Sequence, residues 1–117
     1  MVHNNIQGAV ARYLRDLQEQ GSLKGTDIAN ITGVSPPTVS RWSAGTHVPH
    51  ARTQRMLSDL HYIVARLNEY YTPGEIRLWL YAPHPQLEGQ RAIDFIAKDK
   101  SEDVIGIVDR LDADAYV

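Results

Sequence analysis

The residues of this chain best suited to recognising another molecule stand together between Ser35 and Arg52, in SPPTVSRWSAGTHVPHAR. Pro36, Pro37, Thr38, Ser40 and Arg41 fall on the outward side of a short helix, with Val39 and Trp42 on its inward side. An arginine so placed can donate two parallel hydrogen bonds to a guanine edge, a pairing worth ~1–3 kcal/mol of discrimination. Ser35 and Thr38 offer hydroxyls to phosphate, whereas the prolines offer only apolar contact, for example to a thymine methyl. Thr46, His47, His50 and Arg52 follow in a loop and a helix start. Contacts from there to a sugar–phosphate backbone would position the protein without reading sequence.

Other chemistry has little to work with. His47, His50 and His61 have no cysteine to join them, and their spacing matches no common zinc pattern. The acid pairs Glu102/Asp103 and Asp112/Asp114 fall at a helix start and in a tail, where solvation accounts for them better than general acid–base work. No phosphate-cradling glycine loop and no nucleophile with an evident base is present. The expectation is therefore no enzyme, no catalytic residue, no metal and no cofactor. The 117 residues contain no cysteine, so disulfides are excluded. No apolar run is long enough for a membrane span, and MVHNNIQG lacks the regions of a signal peptide, so the cytoplasm is the expected compartment. Net charge is −2, but it divides unevenly: +3 for residues 1–66 and −5 for residues 67–117. A mildly basic first half suits phosphate, and an acidic second half suits a different partner.

The elements that must position these residues are all helical by pattern. Ile6, Val10, Tyr13, Leu14 and Leu17 mark a first helix that stops near Gly21. From Lys24 to Gly45 the chain reads as helix, tight turn, helix. Ala29 lets the two helices approach, Gly33 supplies the left-handed turn residue, Ser35 is a good N-cap and Pro36 suits the first helical position. Lys24 stands where a capping residue is expected, with Thr26 as the alternative cap one turn later. A long helix from Ala51 carries the stripe Met56, Leu57, Leu60, Ile63, Val64, Leu67, Tyr70 and Tyr71. Twenty such residues would reach about 30 Å. The stripe serves either as core or as a dimer seam, and its spacing alone does not separate these.

Thr72-Pro73-Gly74-Glu75 is a capping box that starts a helix bearing Ile76, Trp79 and Leu80, which ends before Pro83. A loop through Pro83-His84-Pro85 leads to Leu87 and Gly89. A short helix with Ile93, Phe95 and Ile96 follows, to about Lys98. Ser101 opens the last helix, with Glu102 and Asp103 at its positive end and Val104, Ile105, Val108 and Leu111 on its buried face. No segment alternates long enough to predict a strand. The fold class expected is all-α: an N-terminal helix-turn-helix module at residues 1–50, a linking helix at 51–71 and a small C-terminal helical module at 72–117.

The spacing of Ala29, Gly33, Val39, Trp42, Gly45 and Pro49 is similar to the helix-turn-helix of the Xre/phage-repressor family, whose second helix lies in the DNA major groove. Trp79-Leu80, Pro83-His84, Leu87-Glu88-Gly89 and Ala92-Ile93-Asp94 then resemble the C-terminal domain of Xre/MbcA/ParS-type antitoxins, most closely the MbcA-like members. That pattern usually has Asn at position 84 and Pro at position 92, and this chain departs from it there. The resemblance implies an antitoxin that represses its own operon through operator DNA and blocks a RES-domain toxin that consumes NAD. DNA contact is then expected from Ser35, Pro37, Thr38, Ser40, Arg41, Thr46, His47 and Arg52. With so few base readers, a homodimer on paired half-sites, or a larger hetero-oligomer with the toxin, is expected. Toxin contact is expected from Pro83, His84 and Arg91, with Trp79 and Phe95 as core anchors. Two readings stand for the C-terminal tail: Tyr116 and Val117 plug the toxin's substrate cleft, or Tyr116 packs on its own domain. The alternative function is a stand-alone repressor whose C-terminal half dimerises or senses a ligand.

Overall fold

The computed structural model describes residues 6–114. The expected Tyr116 and Val117 contacts fall outside them. The fold is all-α: seven α-helices and one minute two-stranded ladder among the described residues. In chain order these are α1 (Ile6–Gly21), α2 (Gly25–Thr32), α3 (Pro36–Ser43), α4 (Ala51–Leu67), α5 (Pro73–Tyr81), β1 (Pro83–His84), β2 (Gln90–Arg91), α6 (Ala92–Ala97) and α7 (Ser101–Asp114). A single 3-10 turn, Pro85–Leu87, lies between the strands.

α1 ends where expected, but for a different reason. Ser22 takes the left-handed conformation, at φ 53°, while Gly21 is buried against α4. A Cβ added at Gly21 would stand 3.2 Å from one Val64 methyl and 3.3 Å from the other, so glycine lets the two helices close. α2 is capped neither by Thr26 nor by the Lys24 side chain. The Lys24 N–H donates to the Asp27 carboxylate at 2.7 Å, which ties the first turn. Gly33, at φ 77°, makes the turn into α3, and its N–H and that of Val34 both donate to the Ala29 carbonyl. Ser35 holds the N-cap position of α3, yet its hydroxyl pairs with Thr38 Oγ1 at 2.9 Å and caps no backbone N–H.

α4 stops at Leu67, short of Tyr70 and Tyr71 in the expected stripe. The Leu67 carbonyl accepts from the N–H of both tyrosines at 2.9 Å, which tightens the chain into a turn that returns Tyr71 to the core. The remaining stripe residues, Met56, Leu57, Leu60, Ile63, Val64 and Leu67, are all buried within this chain, so the stripe is core. α5 opens on the capping box as expected: the Thr72 N–H donates to Glu75 Oε1 at 2.8 Å and the Glu75 N–H to Thr72 Oγ1 at 3.4 Å.

The expectation of no strand is corrected by the antiparallel pairs Pro83 with Arg91 and His84 with Gln90. Two residues per strand are too few to show alternation, and the reversal needs left-handed residues at Glu88 (φ 57°) and Gly89 (φ 79°). Ser101 is likewise not a cap. It is the first residue of α7, and its hydroxyl is buried with no hydrogen-bond partner among the described residues.

One apolar core joins all seven helices. Leu17 of α1, Leu57, Leu60, Ile63 and Leu67 of α4, Ile76 and Leu80 of α5, Ile96 of α6 and Val104 of α7 meet in it with no exposed surface. α4 is sandwiched between α1 and α7, α1 also packs on α3 and α5, and α2 rests on α3 and α6.

Candidate functional site

The core fixes how α3 is presented. Val39 and Trp42 are buried beneath it, and Ser35, Pro36, Pro37, Ser40 and Arg41 are exposed, with Thr38 half-buried. A helix start ordinarily offers free N–H groups to an anion. Here Pro36 and Pro37 have none, and the N–H groups of Thr38 and Val39 both turn back to the Ser35 carbonyl. Any phosphate at this end would have to be met by the Ser35 and Thr38 hydroxyls. Beyond α3, Gly45 turns the chain at φ 76°, and Thr46 locks the loop to the helix. Its N–H donates to the Arg41 carbonyl at 3.1 Å and its hydroxyl to the same oxygen at 3.2 Å. His47 Nδ1 lies 3.0 Å from that hydroxyl. Thr46, His47 and His50 are exposed beside Arg41 in the chain, as the sequence led one to expect.

Arg52 is exposed but engaged. It and Arg55 both donate to Asp99 Oδ2 at 3.3 Å, across the turn between α6 and α7. One carboxylate bridges two guanidinium groups at the start of α4, and Asp59 stands near Arg55 and Asp99. Asp99 had no role in the sequence reading.

In the C-terminal loop, Pro83 is exposed while His84 folds inward. His84 Nε2 donates to the Trp79 carbonyl at 2.7 Å, and the two rings lie 4.3 Å apart. The histidine at the usual asparagine position thus braces the end of α5. Arg91 is exposed, and its Nε and Nη2 donate to the Asp94 carboxylate at 2.9 and 2.8 Å. Those bonds hold Asp94 below the usual carboxylate range. Trp79 and Phe95 are both half-buried against the core.

The sequence reading missed a polar hub between the two halves. Asp27 of α2 is buried, and its carboxylate accepts from Arg77 Nη1 at 2.6 Å, Arg77 Nη2 at 3.1 Å and the Tyr81 hydroxyl at 2.6 Å. Arg77 Nη1 also donates to the Ser22 carbonyl at 3.1 Å. Burial pushes the Asp27 carboxyl up, but hydrogen bonds from Arg77, Tyr81 and the Lys24 N–H outweigh it and hold it below its ordinary range. Burial, with the bond to Asp27, pushes Tyr81 up to about 12. Two signals were available. An acid in the third position of a helix is the reaching-back residue of a capping box, and Arg77 and Tyr81 are four apart on one face of α5. Among the described residues no three His, Cys, Asp or Glu side chains gather in a way that could hold a metal ion. No described helix is long and apolar enough to cross a membrane.

The chain is 36% identical over 91 residues to the Mycobacterium tuberculosis protein named "Probable mycobacterial cidal antitoxin Rv3188", covering 78% of this chain and 77% of that one. The chain belongs to the mycobacterial cidal antitoxin family. The mycobacterial cidal antitoxins MbcA of Mycobacterium bovis and Mycobacterium tuberculosis are each 25% identical to this antitoxin over 114 residues, which span 97% of this chain and 94% of theirs. One chain of the crystal structure of the M. tuberculosis MbcT–MbcA toxin–antitoxin complex has the same fold as the antitoxin. It superposes with a TM-score of 0.78 at 24% identity, over 92% of this chain and 96% of that one. No protein-family model matches the antitoxin.

Proposed function

We propose that this antitoxin belongs to a type II toxin–antitoxin operon and carries two binding activities, with the cytoplasm as its compartment. The N-terminal module, near residues 1–50, grips operator DNA and represses the operon. The C-terminal module, from about residue 72, binds and blocks a cognate toxin, which the family resemblance implies is a RES-domain protein that consumes NAD. No catalytic step falls to this chain.

The observation that carries this reading is the exposed outer face of α3, held by buried Val39 and Trp42, in a chain whose relatives are antitoxins. Arg41 reads guanine, and the Ser35, Thr38, Ser40 and Thr46 hydroxyls, with His47 and Arg52, meet phosphates. Pro37 contributes apolar contact. With one strong base reader per module, a homodimer supplies the second half-site. Pro83 and Arg91 face the toxin, and His84 shapes their loop from behind. Tyr116 and Val117 enter its substrate cleft.

Co-expression with the product of the neighbouring reading frame tests both arms. Growth arrest by that product should be relieved by this chain, and the purified chain should bind the promoter fragment upstream of the pair. Persistent arrest overturns the toxin-blocking arm, and an unbound promoter overturns the repressor arm. Truncation before Asp114 tests the tail, since full neutralisation by the shortened chain removes the plug.

A further inference from the structure

A groove of about 290 Å³ lies between α1 and the end of α3, lined by Ala11, Leu14, Arg15 and Gln18 of the first helix and Ser43 of the second. Leu14 belongs to the core, whereas Arg15, Gln18 and Ser43 are exposed, so what the groove offers is polar. All three side chains can donate, through a guanidinium, an amide N–H and a hydroxyl. Ser43 follows Ser40 by three residues and Pro36 by seven, which places these three on one face of α3. The groove therefore prolongs the exposed face of α3 toward α1.

The cation in this groove is not neutralised by its own chain. Among the described residues the arginines of α4 are all ion-paired, Arg52 and Arg55 with Asp99 and Arg66 with Glu69, but Arg15 forms no ion pair. Two acids of α1 are close to it in sequence. Asp16 turns instead to His61, at 2.9 Å. Glu19, four residues on, stands in the poorer of the two orders for a helical pair, and the two are not bonded. An apolar segment finds no anchor here, because Leu14 is covered. A phosphodiester fits: its two unesterified oxygens match the guanidinium fork, and the amide and hydroxyl supply further donors.

We infer that Arg15, with Gln18 and Ser43, holds a backbone phosphate of the operator in the groove between α1 and α3. The inference rests on the operator-binding arm of the proposed function and extends that interface to a helix outside the helix-turn-helix. Such a contact fixes how α3 sits on the duplex and reads no sequence itself.

Arg15→Ala, Arg15→Lys and Arg110→Ala test it on the full-length chain. Arg110→Ala is the control, since it removes the same charge from exposed surface on α7, across α4 from α1. The probes are the promoter fragment upstream of the operon and an unrelated duplex of equal length, titrated by fluorescence anisotropy at stepped salt. Arg15 is exposed, so all three variants should melt with the parent chain. Arg15→Ala should weaken binding to both duplexes by the same factor, about tenfold, the effect of losing one charge-assisted hydrogen bond. It should also flatten the slope of log affinity against log salt by about one per bound module. Arg15→Lys keeps the charge and loses the fork, so it should keep the slope and recover part of the affinity. Arg110→Ala should match the parent chain. Parent affinity and slope in Arg15→Ala overturn the groove contact and leave α3 as the reader. Equal losses in Arg15→Ala and Arg110→Ala reduce the effect to overall charge and overturn it too, as does a loss confined to the promoter fragment, which would make Arg15 a base reader. Failure of the parent chain to bind the promoter overturns both this contact and the operator-binding arm.

Discussion

Arg77 of α5 donates from Nη1 and Nη2 to the two carboxylate oxygens of Asp27 in α2, at 2.6 and 3.1 Å. This pair spans 50 positions of sequence and ties the first helix of the helix-turn-helix to the C-terminal half. Asp27 is the buried member, with 8% of its side chain exposed against 39% for Arg77. Removing Arg77 therefore leaves a buried carboxylate short of its main partner, whereas a surface pair would lose almost nothing. Arg77→Ala should cost about 2 kcal/mol, discounted from the fully buried case for the exposure of the arginine. Asp27→Ala should cost about as much, since it also frees the Lys24 N–H, and the double variant should cost about 1–2 kcal/mol less than the two added together. Because the Asp27 carboxyl is held below its ordinary range, its contribution is complete above about pH 4 and is lost as pH falls through the lowered value. Urea unfolding across that range should show the Arg77→Ala penalty shrinking as acid is added.

Tyr81 gives the same hub a second, alkaline limit. Its phenol is pushed up to about 12 by burial and by the bond it donates to Asp27, against an ordinary value near 10. Folding therefore favours the protonated phenol. The contribution is intact below about pH 10 and disappears as pH rises through about 12. Tyr81→Phe should lose about 1 kcal/mol at neutral pH, the worth of one hydrogen bond. Its stability should then fall less than that of the parent chain over the alkaline range, as measured by urea unfolding at stepped pH.

The hub also shows where sequence reasoning reached its limit. The helices were legible because buried stripes at 3.6-residue spacing and caps such as Thr72 with Glu75 are local signals. The turn at Gly33 and the inward Val39 and Trp42 were legible for the same reason. Asp27 was not, because an acid near a helix start has an adequate local explanation and its long-range partners leave no periodic mark. Gly21 was read as a helix stop, although the stop is made by Ser22 and the glycine is needed for contact with Val64, 43 positions away in the sequence. His84 shows the limit within the candidate site. Its residue type suggested an exposed loop, and only the fold reveals the Trp79 carbonyl it must meet.

Arg41 is exposed on α3 and the neighbouring prolines carry no donors, so the proposed base recognition rests on one side chain. Arg41→Ala should remove operator binding and leave toxin neutralisation intact. Fluorescence anisotropy with the operator duplex reads the first, and growth rescue reads the second. Because a bidentate arginine–guanine pair contributes ~1–3 kcal/mol per module, a dimer losing two of them falls toward nonspecific affinity. Unchanged operator affinity would reject α3 as the recognition helix.

Asp99 draws Arg52 and Arg55 toward the α6–α7 turn, and both arginines remain largely exposed, at 66% and 63% of their side chains. Ion pairs at such exposure hold the fold weakly, so Asp99→Asn should change stability by less than about 1 kcal/mol. Asparagine also suits the left-handed backbone at this position, φ 61°, which keeps the turn intact. What the substitution changes is the charge presented at the start of α4, directly after the loop that follows α3. A phosphate no longer has to compete with a neighbouring carboxylate for Arg52. Asp99→Asn should therefore bind the operator more tightly and with a steeper dependence on salt. Arg52→Ala should bind all sequences more weakly and flatten the slope of log affinity against log salt by about one. The two variants move the slope in opposite directions only if Arg52 reaches the DNA backbone. Anisotropy titrations at stepped salt that give all three proteins the same slope would remove Arg52 from the interface and leave Asp99 as a brace between α4 and the α6–α7 turn.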